Sequence, residues 1–127
     1  MTDSFIRNIQ SIRKEEINVD VFQQAKKCFL DYLSVTIAGS KSFFNKTLKY
    51  INAIEPIQKK AVVIGLNCKV DMQTAALING MNAHVIELDD GHRQGALHVG
   101  STVFSALLAI AEKENLSSED YILQKLC

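Results

Sequence analysis

The chain has no net charge, a single proline, no C-x-x-C pair and no long apolar run, and each absence narrows what it can be. Lysine plus arginine balance aspartate plus glutamate at 14 each, so the basic face that phosphate backbones require is missing, and nucleic acid is not an expected partner. The densest basic pair, Lys26-Lys27, reads as a solvated helix face. Cys28, Cys68 and Cys127 are odd in number and unpatterned, which is no disulfide framework, and without C-x-x-C a structural zinc site is not expected. Reduced thiols in the cytoplasm fit, an organelle matrix being also compatible. The first residues hold no apolar core of signal-peptide type, and nothing is long and apolar enough to span a bilayer, so no membrane partner is expected. Internal repeats and low-complexity segments are absent as well.

What is present is helical. With 127 residues, 47% of them hydrophobic, the chain suffices for one domain with a core and not for two. Phe5, Ile9 and Ile12 share a face at helical spacing. Asn18 and Asp20 offer caps for a second helix with a broad stripe of Val21, Phe22, Ala25, Cys28, Phe29, Tyr32, Leu33, Thr36 and Ile37. Cys28 reads there as a small core residue, and Gly39 as the glycine that ends the helix. A third helix follows over residues 42–54, with Phe44, Leu48 and Ile51 inward. Glu55-Pro56 stops it, because the residue before proline is driven out of the helical region.

The short β-branched run 61–65 reads as an extended segment with no strand partner in this chain. Asp71 caps a helix through Val85 that is small or apolar on nearly all sides and is expected to be buried all round. Ser101 or Thr102 caps another over residues 103–112, and Ser117 or Ser118 starts a last one.

Residues 79–101, NGMNAHVIELDDGHRQGALHVGS, lie between two of these apolar helices and hold all three histidines, His84, His92 and His98. They also hold Glu87, Asp89 and Asp90. Crowded carboxylates raise one another's pKa toward neutrality, and a histidine titrates there unaided. His84 and Glu87, three apart, share a helix face. The backbone N–H groups of Gly100 and Ser101, at the next helix start, suit an anionic group. Proton-transfer groups beside an anion cradle point to a small polyanionic metabolite. Asp89-Asp90-Gly91 is equally an ordinary turn sequence. His92, His98 and the aspartates are plausible metal ligands, but H-E-x-x-H and other recognised metal spacings are absent, so no metal and no cofactor is expected.

Several segments in order resemble the MmgE/PrpD family, which includes 2-methylcitrate dehydratase, cis-aconitate decarboxylase and iminodisuccinate epimerase. They are the stretch from Phe29 through Leu30-Asp31-Tyr32 to Gly39, then Gly65, Ala75-Ala76-Leu77-Ile78-Asn79-Gly80, Ala83-His84, Glu87-Leu88-Asp89-Asp90 and His98-x-Gly. The likeness covers about residues 21–126. It implies an all-α fold class, with residues 1–127 as part of an N-terminal helical domain whose lid domain and later active-site lysines lie outside this chain. It further implies cofactor-independent chemistry on a di- or tricarboxylate by proton abstraction next to a carboxylate, and a homodimer built through helices.

Carried over by position, His98 matches the active-site histidine that closes the motif, and Glu87 stands where many members have aspartate. Asp89 and Asp90 match the acidic pair. Gly91 replaces a frequent threonine and so removes a hydroxyl, and Val99 replaces a frequent proline. The expected catalytic residues are therefore His98, Asp90 and Glu87. The expected substrate-binding residues are Asp89, His92, Arg93 as a carboxylate clamp, Gly100 and Ser101. The chain by itself is expected to be inactive and to expose apolar surface that favours self-association. The rival reading is a non-catalytic helical module for dimerisation or partner binding, in which the acidic loop is only a turn.

Overall fold

The computed structural model describes residues 2–12, 18–56 and 59–117. It is mainly helical, in the order α1 (Thr2–Ile12), α2 (Val19–Ile54), β1 (Ala61–Val63), β2 (Cys68–Val70), α3 (Met72–His84) and α4 (Val99–Glu114). The side chains of Phe5, Ile9 and Ile12, and the expected helix beyond Ser117, lie outside the described residues.

Local signals set most of the ends. The Asn18 side chain accepts from Asp20 N–H and starts α2. Glu55 closes it in the left-handed region, at φ 46°, directly before Pro56. Asp71 starts α3 by accepting from Thr74 N–H at 2.9 Å. That bond holds the Asp71 carboxyl below its usual range. A depressed folded pKa adds stability above the unfolded value of about 3.9 and loses it as pH falls through the folded value. Asp71→Ala is therefore expected to cost about 1 kcal/mol at neutral pH, with the deficit closing in acid. Urea midpoints at about pH 7 and about pH 3 check this; a deficit equal at both would reject it.

Gly39 does not end a helix: α2 runs unbroken through it for 36 residues. A Cβ at Gly39 would lie 1.8 Å from the Asn82 carbonyl oxygen, so the glycine lets the end of α3 pack directly on the α2 backbone. The buried face of α2 is Tyr32, Val35, Thr36, Gly39, Ser40 and Thr47, at helical spacing but with small or hydroxylated residues at the crossing. Thr36 and Ser40 donate to their own helix, to the carbonyls of Tyr32 and Ile37, and so are buried without loss. Cys28 is exposed, not core; Ile37 and Phe44 are also exposed, at 45% each. The broad stripe read from the sequence narrows because α3 and α4 cover only one side of α2. Leu48 and Ile51 are partly buried against the core, as expected.

The run at 61–63 does have a partner. It pairs antiparallel with Cys68–Val70, in the register Ala61 with Val70 and Val63 with Cys68. The connecting turn closes with Leu66 N–H donating to Val63 O, and Gly65 takes φ +80° where a side chain would strike Ser40. A two-stranded hairpin is marginal alone. Here side chains act as its third strand. Asn79 donates to Val62 O and accepts from Ile64 N–H, both at 2.9 Å, and the Glu112 carboxylate accepts from Val62 N–H. The open edge of β1 is thereby closed from α3 and α4.

The core lies on either side of this hairpin. Ala61, Val63, Leu66, Val70, Ala75, Ile78 and Ala109 form one cluster, and Tyr32, Val35, Ile64, Ala83 and Phe104 the other. Tyr32 packs 5.5 Å from Phe104 between ring centroids, and its hydroxyl bonds Ser105 at 2.9 Å, tying α2 to α4. Burial pushes the Tyr32 phenol up. α3 is not buried all round: Leu77 is 50% and Met81 49% exposed, in line with the apolar surface expected. No described helix is long and apolar enough to cross a membrane.

Candidate active site

α3 ends at His84, and the chain turns immediately: Glu87 N–H donates to His84 O at 2.9 Å, with Glu87 in the left-handed region at φ 54°. Residues 85–97 then bulge outward and return through a short bridge, His92 N–H donating to Leu97 O at 2.8 Å. This closure brings His98 back beside His84. Their rings meet edge to face, with centroids 4.9 Å apart.

Between them sits Asp89. Its side chain is only 3% exposed, while those of His84 and His98 are 46% and 41% exposed. Both carboxylate oxygens lie 3.1 Å from His84 Nδ1, and one lies 3.4 Å from His98 Nδ1. His84 turns its Nε2 toward Glu87 at 3.5 Å. The hydrogen bond that His84 donates to Asp89, then the charges of Asp89 and Glu87, push the His84 imidazolium up above the ordinary histidine range.

A carboxylate held on Nδ1 fixes a histidine's tautomer and leaves Nε2 as the nitrogen that accepts or returns a proton. The arrangement is thus two imidazoles beside one carboxylate whose side chain is buried, hydrogen-bonded to His84 and 3.4 Å from His98.

The sequence-derived residues divide. His98, Asp89 and Glu87 join this cluster. Asp90 faces the other way and accepts from Gly100 N–H at 2.9 Å. α4 starts at Val99, earlier than Ser101 or Thr102, because Asp90 caps it from the loop while its N-cap, His98, makes no side-chain cap bond. One backbone donor of the expected anion cradle is therefore held by the protein's own carboxylate. Ser101 is buried and donates to His98 O at 3.3 Å. His92 accepts from Gly95 N–H through Nδ1 and, like Arg93, is exposed on the bulge.

His84 was absent from the sequence-derived site, although Ala83-His84 lay within the resembling segments. Its role depends on a loop closure that spacing does not encode. His84 also lines one end of an apolar groove of about 420 Å³ between α3 and α4, with Leu77, Met81, Thr102 and Ala106. A larger cleft, about 620 Å³, is lined by Tyr50, Glu55, Lys60, Asp71 and Lys113 among others and touches none of the cluster.

Comparison with known proteins agrees with the motif segments and extends them toward the first residues. The MmgE/PrpD N-terminal domain matches residues 3–126. A cis-aconitate decarboxylase-like protein, oryM, of Aspergillus oryzae is 33% identical over 108 residues, covering 84% of this chain and 22% of that protein. A cis-aconitate decarboxylase of Aspergillus terreus is 29% identical over 104 residues, covering 80% of this chain and 21% of that protein. The chain spans about a fifth of the length of these curated relatives.

Proposed function

The chain belongs to the MmgE/PrpD family through that family's N-terminal domain, and from this premise we propose that it supplies the proton-transfer part of a lyase-type site for a small tricarboxylate. The observation that carries the reading is the buried Asp89 shared by two partly exposed imidazoles. The relatives' names, cis-aconitate decarboxylase and a protein like it, favour a tricarboxylate over other polyanions.

In this reading His98 is the acid/base. For decarboxylation, carbon dioxide leaves, its electron pair remains on carbon, and protonated His98 delivers the proton there. For dehydration, His98 takes the proton next to a carboxylate and the electron pair expels hydroxide. Asp89 is a positioning residue that holds the tautomer. Glu87 acts with His84 as the second proton-holding pair. Asp90 positions the loop on the first turn of α4, and Arg93 is the carboxylate clamp.

Isothermal titration of the chain with cis-aconitate, citrate and succinate tests the site. Saturable binding of the tricarboxylates is expected, weakened about tenfold or more in His98→Ala, as for loss of a charged hydrogen-bond partner. A folded chain that binds none of them favours the rival helical module. The exposed Leu77, Met81, Phe44 and Tyr50 support self-association in either case, and sedimentation at increasing concentration would show it.

A further inference from the structure

We propose that His84, Asp89 and His98 form a binding site for a divalent transition-metal ion of the zinc type. One donor atom from each residue lies within 4.8 Å of the others. A tetrahedral ion with bonds of about 2.0–2.1 Å holds its ligand atoms about 3.3 Å apart. The Asp89 oxygens already stand 3.1 Å from His84 Nδ1 and 3.4 Å from His98 Nδ1. Two of the three ligand pairs thus have the required separation, and the ion takes the place of the proton between His84 and Asp89.

Two further features fit. A ligating histidine commonly gives its other ring N–H to a carboxylate, which fixes the tautomer. Glu87 stands 3.5 Å from His84 Nε2 and fills that position. Asp89 is a carboxylate already withdrawn from water, so binding does not add that desolvation cost, while the partly exposed imidazoles leave a path for entry and a fourth position for water. Two imidazoles with one carboxylate select zinc, cobalt or nickel over magnesium and calcium, which require more oxygen ligands. The set differs from the ligands considered on sequence, since His92 is turned into its own bulge.

One consequence rests on the function proposed above: with metal on Nδ1, His98 keeps its proton on Nε2 and ceases to be a base, so zinc would inhibit. Binding itself does not depend on that reading, and a failed tricarboxylate titration leaves the metal test intact.

The test is titration of the tag-free chain with zinc by calorimetry and with cobalt by visible absorption, magnesium serving as the comparison ion. One zinc per chain is expected, with affinity reduced about tenfold or more in His84→Ala, His98→Ala and Asp89→Asn, and severalfold in Glu87→Gln. Circular dichroism establishes that each variant is folded, and His84→Gln and His98→Gln replace any alanine variant that is not. The inference is overturned if the folded chain binds no zinc or if both histidine variants bind it as tightly as the parent. It is also overturned if a thiolate-to-cobalt band in the near ultraviolet shows that a cysteine is the ligand.

Discussion

Gly39→Ala is expected to lower the stability of the chain by about 3 kcal/mol or more. The sign is what makes the prediction sharp. In an exposed helix interior, replacing glycine by alanine stabilises by roughly 1 kcal/mol, because alanine is the better helix former. At Gly39 the new Cβ would stand 1.8 Å from a backbone oxygen of Asn82 and 2.8 Å from Val85 Cγ1. A flexible side chain can swing aside, but the Asn82 carbonyl is main chain in the last turn of α3 and cannot. Relief therefore requires α2 and α3 to separate, which opens the cluster of Tyr32, Val35, Ile64, Ala83 and Phe104. Ala53, on an exposed turn of the same helix, is the control: Ala53→Gly should cost only about 1 kcal/mol. Thermal unfolding of the two variants checks the pair. A Gly39→Ala chain as stable as the parent would show that the two helices do not meet as described.

Asn79→Ala should cost about 2–4 kcal/mol through a different mechanism. Asn79 is 1% exposed and satisfies two main-chain groups of the β1 edge, Val62 O and Ile64 N–H. Truncation leaves a buried donor and an acceptor without partners, and each such group carries a desolvation penalty of about 1–3 kcal/mol. Ionised, the carboxylate of Asn79→Asp keeps the acceptor toward Ile64 but loses the donor toward Val62; protonated, its O–H can donate there, so only then should the variant fall between the parent and alanine. Asn52→Ala, on the exposed side of α2, should change stability by no more than about 0.5 kcal/mol. Urea unfolding separates these outcomes. Equal midpoints for Asn79→Ala and Asn52→Ala would mean that the hairpin edge is closed in some other way.

The candidate site was legible in part for the same reason the hairpin was not. Glu87, Asp89 and His98 are conspicuous because polar, titratable residues cluster between apolar helices, and that is visible in one dimension. His84 is not conspicuous, since it is the last residue of α3 and gains its role from a residue five further on and a histidine 14 positions away. Asp90 looked like its neighbour Asp89, yet one sits between imidazoles and the other caps α4. Successive residues in a turn point in different directions, and composition does not record direction.

The sequence by itself determined what depends on neighbours within about one helical turn. Asn18 and Asp71 start helices because their side chains reach N–H groups two or three residues on, and Glu55-Pro56 stops one because of a steric clash between adjacent residues. Tertiary structure decided whatever depends on which surfaces meet. Gly39 became a contact point instead of a helix end, Cys28 turned outward, and residues 61–63 found a partner in the unpromising Cys68-Lys69-Val70. The imidazoles closed on Asp89 in the same way. In each case the deciding energy comes from groups brought together by the packing of α3 against α2 and α4, and a periodicity of 3.6 or 2 residues carries no information about it.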